Sequence, residues 1–131
     1  MKTRNINTLL IAALGVFLLT SFNLPKWDFL GSRTVDFKLD HDEIVVTGHE
    51  GKFDAIKIKV TRAPINMYKV VVHFGNGGEQ NLEIANNFTP GSESRTINLK
   101  GEDRVIKRIS FWYDTKKKAT KKAIVEVWGK H

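Results

Sequence analysis

The chain has 131 residues, no cysteine and a formal net charge of +7. The absence of cysteine excludes a disulfide scaffold, a cysteine nucleophile and a lipid anchor on an N-terminal cysteine, because each of these needs a thiol. Residues 100–131 hold ten Lys and Arg against four Asp and Glu, whereas residues 23–99 hold nine against ten. The positive surplus therefore lies in the last third, a pattern that indicates an anionic partner or a solvated basic loop.

The first segment carries Lys2 and Arg4 and then the apolar run Leu9–Leu19. A charged start followed by a short apolar run is typical of an export signal, and this run is shorter than the ~20 residues of a spanning helix. We therefore expect a signal peptide over residues 1–22, with an uncleaved membrane anchor as the alternative. We expect this segment to be followed by a linker over 23–29 and a β-sandwich domain over 30–131. The signal predicts a protein that is periplasmic or secreted and at most peripheral to a membrane.

Downstream of Pro25, apolar and polar residues alternate with little helical periodicity, which predicts about eight short strands. The predicted strands are Leu30–Lys38, Glu43–Thr47, Lys52–Thr61, Met67–Phe74, Gln80–Ile84, Ser94–Leu99, Val105–Tyr113 and Ala123–Trp128. Turn-forming residues separate them, and Asn76–Gly77 is the strongest hairpin signal among these. This spacing predicts an all-β fold, namely a single antiparallel β-sandwich with a jelly-roll or immunoglobulin-like topology.

The alternation also predicts which side chains face the core. The expected inward residues are Val35, Phe37, Ile56, Ile58, Val60, Ile97, Leu99, Val105, Ile109, Phe111 and Tyr113. Lys107 is the exception among the alternate residues from Val105 to Tyr113, which are otherwise apolar. Met67–Phe74 is β-branched on both faces, so we expect it to be a central strand.

Carboxylate and imidazole side chains cluster at two predicted turns between Asp36 and Glu50. Candidate ligands for a divalent cation are Asp40, His41, Asp42 and His49, because oxygen and imidazole groups bind such ions. Their spacing matches neither an EF-hand nor an HExxH motif, and two solvated polar turns are the alternative. A small hydrolase or metal-dependent enzyme built from these turns is one alternative function. The chain contains no G-x-S-x-G motif, so we expect no catalytic residue, no cofactor and no enzymatic activity.

A basic loop is predicted between the last two strands, flanked by Trp112 and Trp128. Its lysines are Lys116, Lys117, Lys118, Lys121 and Lys122. Ammonium groups on a loop attract anionic polymers and lipid headgroups, and nearby aromatic rings are typical of surfaces that bind sugars or single-stranded nucleic acid. The alternative places the aromatics in the core and leaves the lysines to protect a hairpin edge. The expected partners are an acidic polysaccharide, a lipid headgroup or nucleic acid.

Three sequence blocks, Leu30–Phe37, Met67–Gly77 and Arg104–Tyr113, resemble a family of small exported bacterial β-domains of unknown function. The likeness runs from about Leu30 to Trp128. It implies export and a β-sandwich, and it supplies no site residues. We therefore predict an exported module with a non-catalytic binding or structural role in the cell envelope or outside the cell.

Overall fold

The computed structural model describes residues 26–36, 39–46, 51–84, 86–114 and 121–131. Ten strands form within these ranges. They are β1 (Trp27–Thr34), β2 (His41–Val45), β3 (Lys52–Phe53), β4 (Ala55–Thr61), β5 (Ile65–Phe74), β6 (Glu79–Leu82), β7 (Asn86–Phe88), β8 (Ile97–Asn98), β9 (Arg104–Asp114) and β10 (Ile124–Lys130). The described residues contain no helix that is long and apolar enough to cross a membrane. The predicted signal peptide lies outside these ranges, as do Phe37, His49 and Lys116–Lys118.

Two antiparallel sheets make up the fold. Sheet A has the order β1-β10-β4-β8, and sheet B has the order β2-β9-β5-β6, with β3 on β9 and β7 on β5. Every pairing is antiparallel. The all-β class is confirmed, and the interior position of β5 confirms the predicted central strand. The jelly-roll or immunoglobulin-like topology stays a prediction.

The inward side chains of both sheets form one apolar cluster. In β4, Ile56, Ile58 and Val60 are buried while Lys57 and Lys59 face outward, as the alternation predicts. Burial of an aliphatic side chain of this size contributes about 1.5–3 kcal/mol. The core thus fixes the register of the central strands, and with it the outward positions from which a functional surface is built.

The predicted strand Lys52–Thr61 is two strands, divided at Asp54. β3 pairs with β9 in sheet B, whereas β4 pairs with β10 in sheet A. Phe53 and Ala55 are buried, and so is Ile56, so the alternation changes phase between Ala55 and Ile56, where the chain has just entered sheet A. The backbone N–H of Asp54 donates to the carbonyl of Lys130 (2.8 Å), which secures the crossing.

A β-bulge explains why Lys107 interrupts its row. His73 pairs with Arg108 and Phe74 pairs with Ile106, so Lys107 is an extra residue on β9. A bulge shifts the alternation by one residue. Ile106 is therefore the inward side chain, only 1% exposed, and the prediction that Val105 faces the core is wrong, since Val105 is half-buried.

Two observed strands differ from the predicted ones, namely β1 at the start of the domain and β7 in its middle. β1 begins at Trp27, inside the range 23–29 that was expected to be a linker, and ends at Thr34. A register shift between Phe29 and Gly31 conceals its alternation from sequence inspection. Val35 is fully buried as predicted, although it follows the strand. β7 was not predicted, because a three-residue strand gives too short a pattern.

Candidate functional site

The outer side of sheet A, opposite the core, carries an aromatic cluster. The register of β10 places Trp128 between Phe29 of β1 and Lys57 of β4. Trp27 lies two residues before Phe29, and therefore on the same side of β1. We call these four residues, Trp27, Phe29, Lys57 and Trp128, the aromatic face.

Contacts within the aromatic face hold the rings together on the surface. The Phe29 and Trp128 ring centroids are 5.3 Å apart with an interplanar angle of 68°, and Lys57 Nζ lies 4.5 Å from the centroid of the Trp27 ring. Such aromatic and cation–π contacts are each worth about 0.5–1.5 kcal/mol. Phe29 nevertheless remains 47% exposed. Rings that stabilise one another outside the core form a preorganised apolar surface.

Charged groups surround these rings. The indole N–H of Trp128 donates to Glu126 Oε1 (3.0 Å), and Lys57 Nζ lies 3.4 Å from Glu93 Oε2. Lys59 is the cross-strand partner of Glu126. Carboxylates accept hydrogen bonds and ammonium groups donate them, so this rim offers both functions beside an apolar surface. Such a surface suits a ligand that combines apolar patches with hydroxyl groups.

On the other side of β1 from the aromatic face, the imidazole of His131 connects β1 with β3. His131 Nε2 hydrogen-bonds to the Asp28 carboxylate, and His131 Nδ1 lies 2.7 Å from the carbonyl oxygen of Lys52. Both partners are acceptors, so both ring nitrogens must donate, which requires the charged imidazolium. The Asp28 hydrogen bond, helped by the Lys52 carbonyl, raises the pKa of His131. Since Asp28 lies between Trp27 and Phe29, this contact fixes the strand that carries both rings.

A polar hollow of about 440 Å³ lies at the opposite end of β1. It is lined by Ser32, Arg33, Thr34, Asp36, Leu39, Asp42 and Lys122. Arg33 Nε lies 2.9 Å from Asp42 Oδ1, and the Asp42 side chain is buried. Nearby, the hydroxyl of Tyr113 donates to the carbonyl of Asp36 (3.2 Å), and burial raises the pKa of Tyr113 to about 12.

The structure describes three of the four residues predicted to bind a metal, and it places Asp42 on the other side of β2 from His41. Asp42 points toward Arg33, whereas His41 is exposed and stacks on Trp112 with a centroid distance of 5.7 Å. Asp40 Oδ1 lies 3.7 Å from His41 Nδ1. Across the described ranges no group of three or more His, Asp or Glu side chains is arranged to hold a metal ion. Because His49 lies outside these ranges, the four-residue metal site stays a prediction.

The two tryptophans predicted to flank the basic loop lie on different sheets. Trp112 is on β9 of sheet B, where Lys69 Nζ lies 4.5 Å from its ring centroid, and Trp128 is on β10 of sheet A. Of these two, only Trp128 belongs to the aromatic face. Lys121 and Lys122 are exposed, and Lys122 lines the polar hollow. Lys116–Lys118 lie outside the described residues, so the loop's binding role stays a prediction.

Sequence reasoning missed Trp27 and Phe29 as site residues. The segment Trp27–Asp28–Phe29 alternates aromatic, polar and aromatic, which is the period of a strand. That signal is only three residues long, and the register shift between Phe29 and Gly31 separates it from the predicted strand that begins at Leu30.

The comparison with known families covers the whole of this site. Residues 9–129 match the family described as Domain of unknown function (DUF2541), a range that includes the aromatic face and the whole apolar run Leu9–Leu19 of the expected signal. No curated protein sequence matches the chain. The expected resemblance to an uncharacterised domain family is confirmed, while bacterial origin and export stay predictions. The chain therefore belongs to the DUF2541 family.

Proposed function

We propose that this protein is an exported β-sandwich module that binds a polysaccharide through the aromatic face. The observation that carries the proposal is the placement of Trp27, Phe29 and Trp128 together outside the core. Burial of large apolar side chains is otherwise thorough in this fold, and Phe29 is among only four large apolar or aromatic side chains of the described residues that are prominently exposed. Packing alone does not require three aromatic rings on the outer side of one sheet.

The chemistry of the rim favours a polysaccharide over a polyphosphate. Sugar rings present apolar C–H patches bordered by hydroxyl groups, which both donate and accept hydrogen bonds. Glu126 supplies an acceptor and Lys59 a donor at neighbouring positions. A nucleic-acid phosphate only accepts hydrogen bonds and so offers no donor to the carboxylates of Glu126 and Glu93, whereas sugar hydroxyl groups can donate to them. Lys59 and Lys130 make no ion pair with another described residue, so they suit the carboxylates of an acidic polysaccharide.

Titration calorimetry tests this role. We expect binding to polygalacturonate, an acidic polysaccharide, that exceeds binding to a neutral glucan and to oligo-dT. Trp128→Ala and Phe29→Ala should each weaken binding about 5- to 150-fold, the range for loss of one stacking ring at ~1–3 kcal/mol. Trp112→Ala removes an equal ring from sheet B and should leave affinity unchanged. Equal losses in all three variants, or a preference for oligo-dT, would refute the proposal.

A second candidate function is the binding of anionic polymers or lipid headgroups by the basic loop. The observation in its favour is that Lys122 and Arg33 line the same polar hollow. Each neutralised charge releases counterions, so affinity for heparin or for anionic vesicles should fall steeply with salt. Replacement of Lys116, Lys117, Lys118, Lys121 and Lys122 by Gln should abolish that binding while polygalacturonate binding persists. Salt-independent binding would argue against the loop.

Export is part of the proposal, and the charged start with its apolar run supports it. Intact-mass analysis of protein purified from its native host should show a chain that lacks residues 1–22. A full-length species retained in the membrane fraction would instead favour the anchored form.

A further inference from the structure

A serine, a histidine and a glutamate lie in line across the outer side of sheet B, far from the aromatic face. His73 Nε2 lies 3.1 Å from Ser110 Oγ, and His73 Nδ1 lies 3.2 Å from Glu79 Oε1. The three residues come from β9, β5 and β6 respectively. The histidine thus contacts a hydroxyl with one ring nitrogen and a carboxylate with the other.

The hairpin between β5 and β6 builds half of this arrangement. Gly77 has a φ of 94°, and the N–H of Phe74 donates to the carbonyl of Gly78 (2.8 Å). This tight turn sets the register in which Glu79 lies directly opposite His73. The Asn76–Gly77 signal in the sequence therefore determines which carboxylate the histidine contacts.

The pairing of β5 with β9 builds the other half. Ser110 lies opposite Val71, two residues from His73, and the bulge at Lys107 follows immediately after the His73–Arg108 pair. Cross-strand neighbours on this diagonal are within reach of a long side chain. A bulge commonly redirects side chains beside a functional site.

The contacts define the protonation pattern of the imidazole. A carboxylate at Nδ1 holds the proton there, which leaves the lone pair of Nε2 directed at the serine hydroxyl. The His73 side chain is only 16% exposed, so packing restricts its rotation. The other histidines of the described ranges, His41 and His131, have no hydroxyl partner there. This combination is the arrangement of a nucleophile, its base and an orienting acid.

We propose that Ser110 is a nucleophile that attacks small acyl esters, with His73 as general base and Glu79 as a positioning residue. Ser110 Oγ attacks the ester carbonyl carbon while its proton passes to His73 Nε2. The bond to the alcohol breaks, and the alcohol leaves with that proton. His73 then takes a proton from water, the resulting hydroxide attacks the acyl-serine, and the carboxylic acid departs as Ser110 regains its hydrogen.

Two features of the surroundings restrict the substrate and assist the chemistry. Ser110 is 7% exposed and lies between Glu43 and Val71, so only a short acyl group, such as acetyl, reaches its hydroxyl. Arg108 lies on the same side of β9 and directly opposite His73. Arg108 Nε lies 3.5 Å from Glu43 Oε2, and in the proposed reaction this guanidinium would supply positive charge beside the developing oxyanion. This activity goes beyond the proposed polysaccharide binding and departs from the expectation of no catalytic residue.

Labelling with a small fluorophosphonate, read by peptide mass, tests the site in the full chain. Ser110 should be the labelled residue. Ser110→Ala and His73→Gln should lose labelling, and Glu79→Gln should slow it at least tenfold. His41→Gln is the matched control, because it removes an imidazole from the same side of sheet B and should label like wild type. Each variant should keep the wild-type melting temperature within a few degrees, so that lost labelling is not lost folding.

Hydrolysis of p-nitrophenyl acetate supplies the second readout. Wild type should release p-nitrophenol in an initial burst, because an acyl-serine accumulates when its hydrolysis is slower than its formation. Glu79→Gln should slow this burst and Glu79→Asp, which keeps a carboxylate, should restore much of it, a difference that a merely structural role for Glu79 would not produce. The proposal is overturned if folded wild type labels no faster than His73→Gln, or if the label falls on another residue. The polysaccharide-binding test uses the opposite sheet, so either proposal can fail alone.

Discussion

Gly129→Ala should destabilise the protein although an alanine is compatible with the strand backbone. Gly129 lies on β10 and faces the core. A β-carbon there would lie 2.7 and 3.0 Å from ring atoms of Phe53 and 2.9 Å from Leu30 Cδ1, closer than carbon atoms pack. Overpacking of this kind destabilises the folded state by about 1–3 kcal/mol. Replacing glycine also reduces the conformational entropy of the unfolded chain, which offsets this by about 0.4–1 kcal/mol. The expected net loss is about 1–2 kcal/mol.

Urea unfolding followed by tryptophan fluorescence measures this loss, and a double-mutant cycle with Phe53→Leu identifies its cause. The smaller leucine leaves room for the new methyl group. The two substitutions together should therefore cost about 1 kcal/mol less than the sum of the single costs. Independent sites add to within about 0.3–0.5 kcal/mol, so additivity within that margin would refute the steric explanation.

Three further predictions concern titration and packing. Because the pKa of His131 is raised, the stability contributed by its charge is fully present below pH 6.5 and is lost as pH rises through the folded pKa. Wild type should therefore melt at a higher temperature than His131→Gln, and this difference should be larger at pH 6 than at pH 9. Burial raises the pKa of Tyr113 to about 12 from 10.0, so the unfolded chain loses this proton first and wild type should destabilise above pH 10. Tyr113→Phe has no phenol proton to lose, so its melting temperature should fall less than that of wild type between pH 9 and pH 11. Ile58→Ala should lower the free energy of unfolding in urea by about 2–5 kcal/mol, and Lys59→Ala should lower it by at most about 0.5 kcal/mol. Equal effects would contradict the assignment of Ile58 to the inner side of β4 and of Lys59 to the outer side.

The strand pattern could be predicted wherever one phase of alternation persists. Ile56, Ile58 and Val60 illustrate this, because the β4 segment stays in one sheet from end to end. The prediction failed after Asp54 and at Lys107, where a sheet crossing and a bulge change the phase. Both changes depend on which strand lies alongside, and pairing partners are not encoded in local periodicity.

The same limit applies to the candidate sites. Trp128 was singled out from its position beside a basic loop, but Phe29, its ring partner, is separated from it by about a hundred residues of sequence. Ser110 and His73 are 37 residues apart, and only the pairing of β9 with β5 brings them to hydrogen-bonding distance. Residue types and local turns identify candidates, whereas the register between strands decides which of them meet.

The position of β10 affects how the chain acquires its structure. β10 lies between β1 and β4, so residues 124–130 supply hydrogen bonds to both neighbours, and one of those neighbours is the first strand. Sheet A therefore cannot close while synthesis is still short of these residues. Pairing of the first strand with the last described one also gives the fold long-range contacts, which slow folding. Sheet A of a nascent chain would thus stay open until residues 124–130 have been released, so its strands assemble together and not one by one in the order of synthesis.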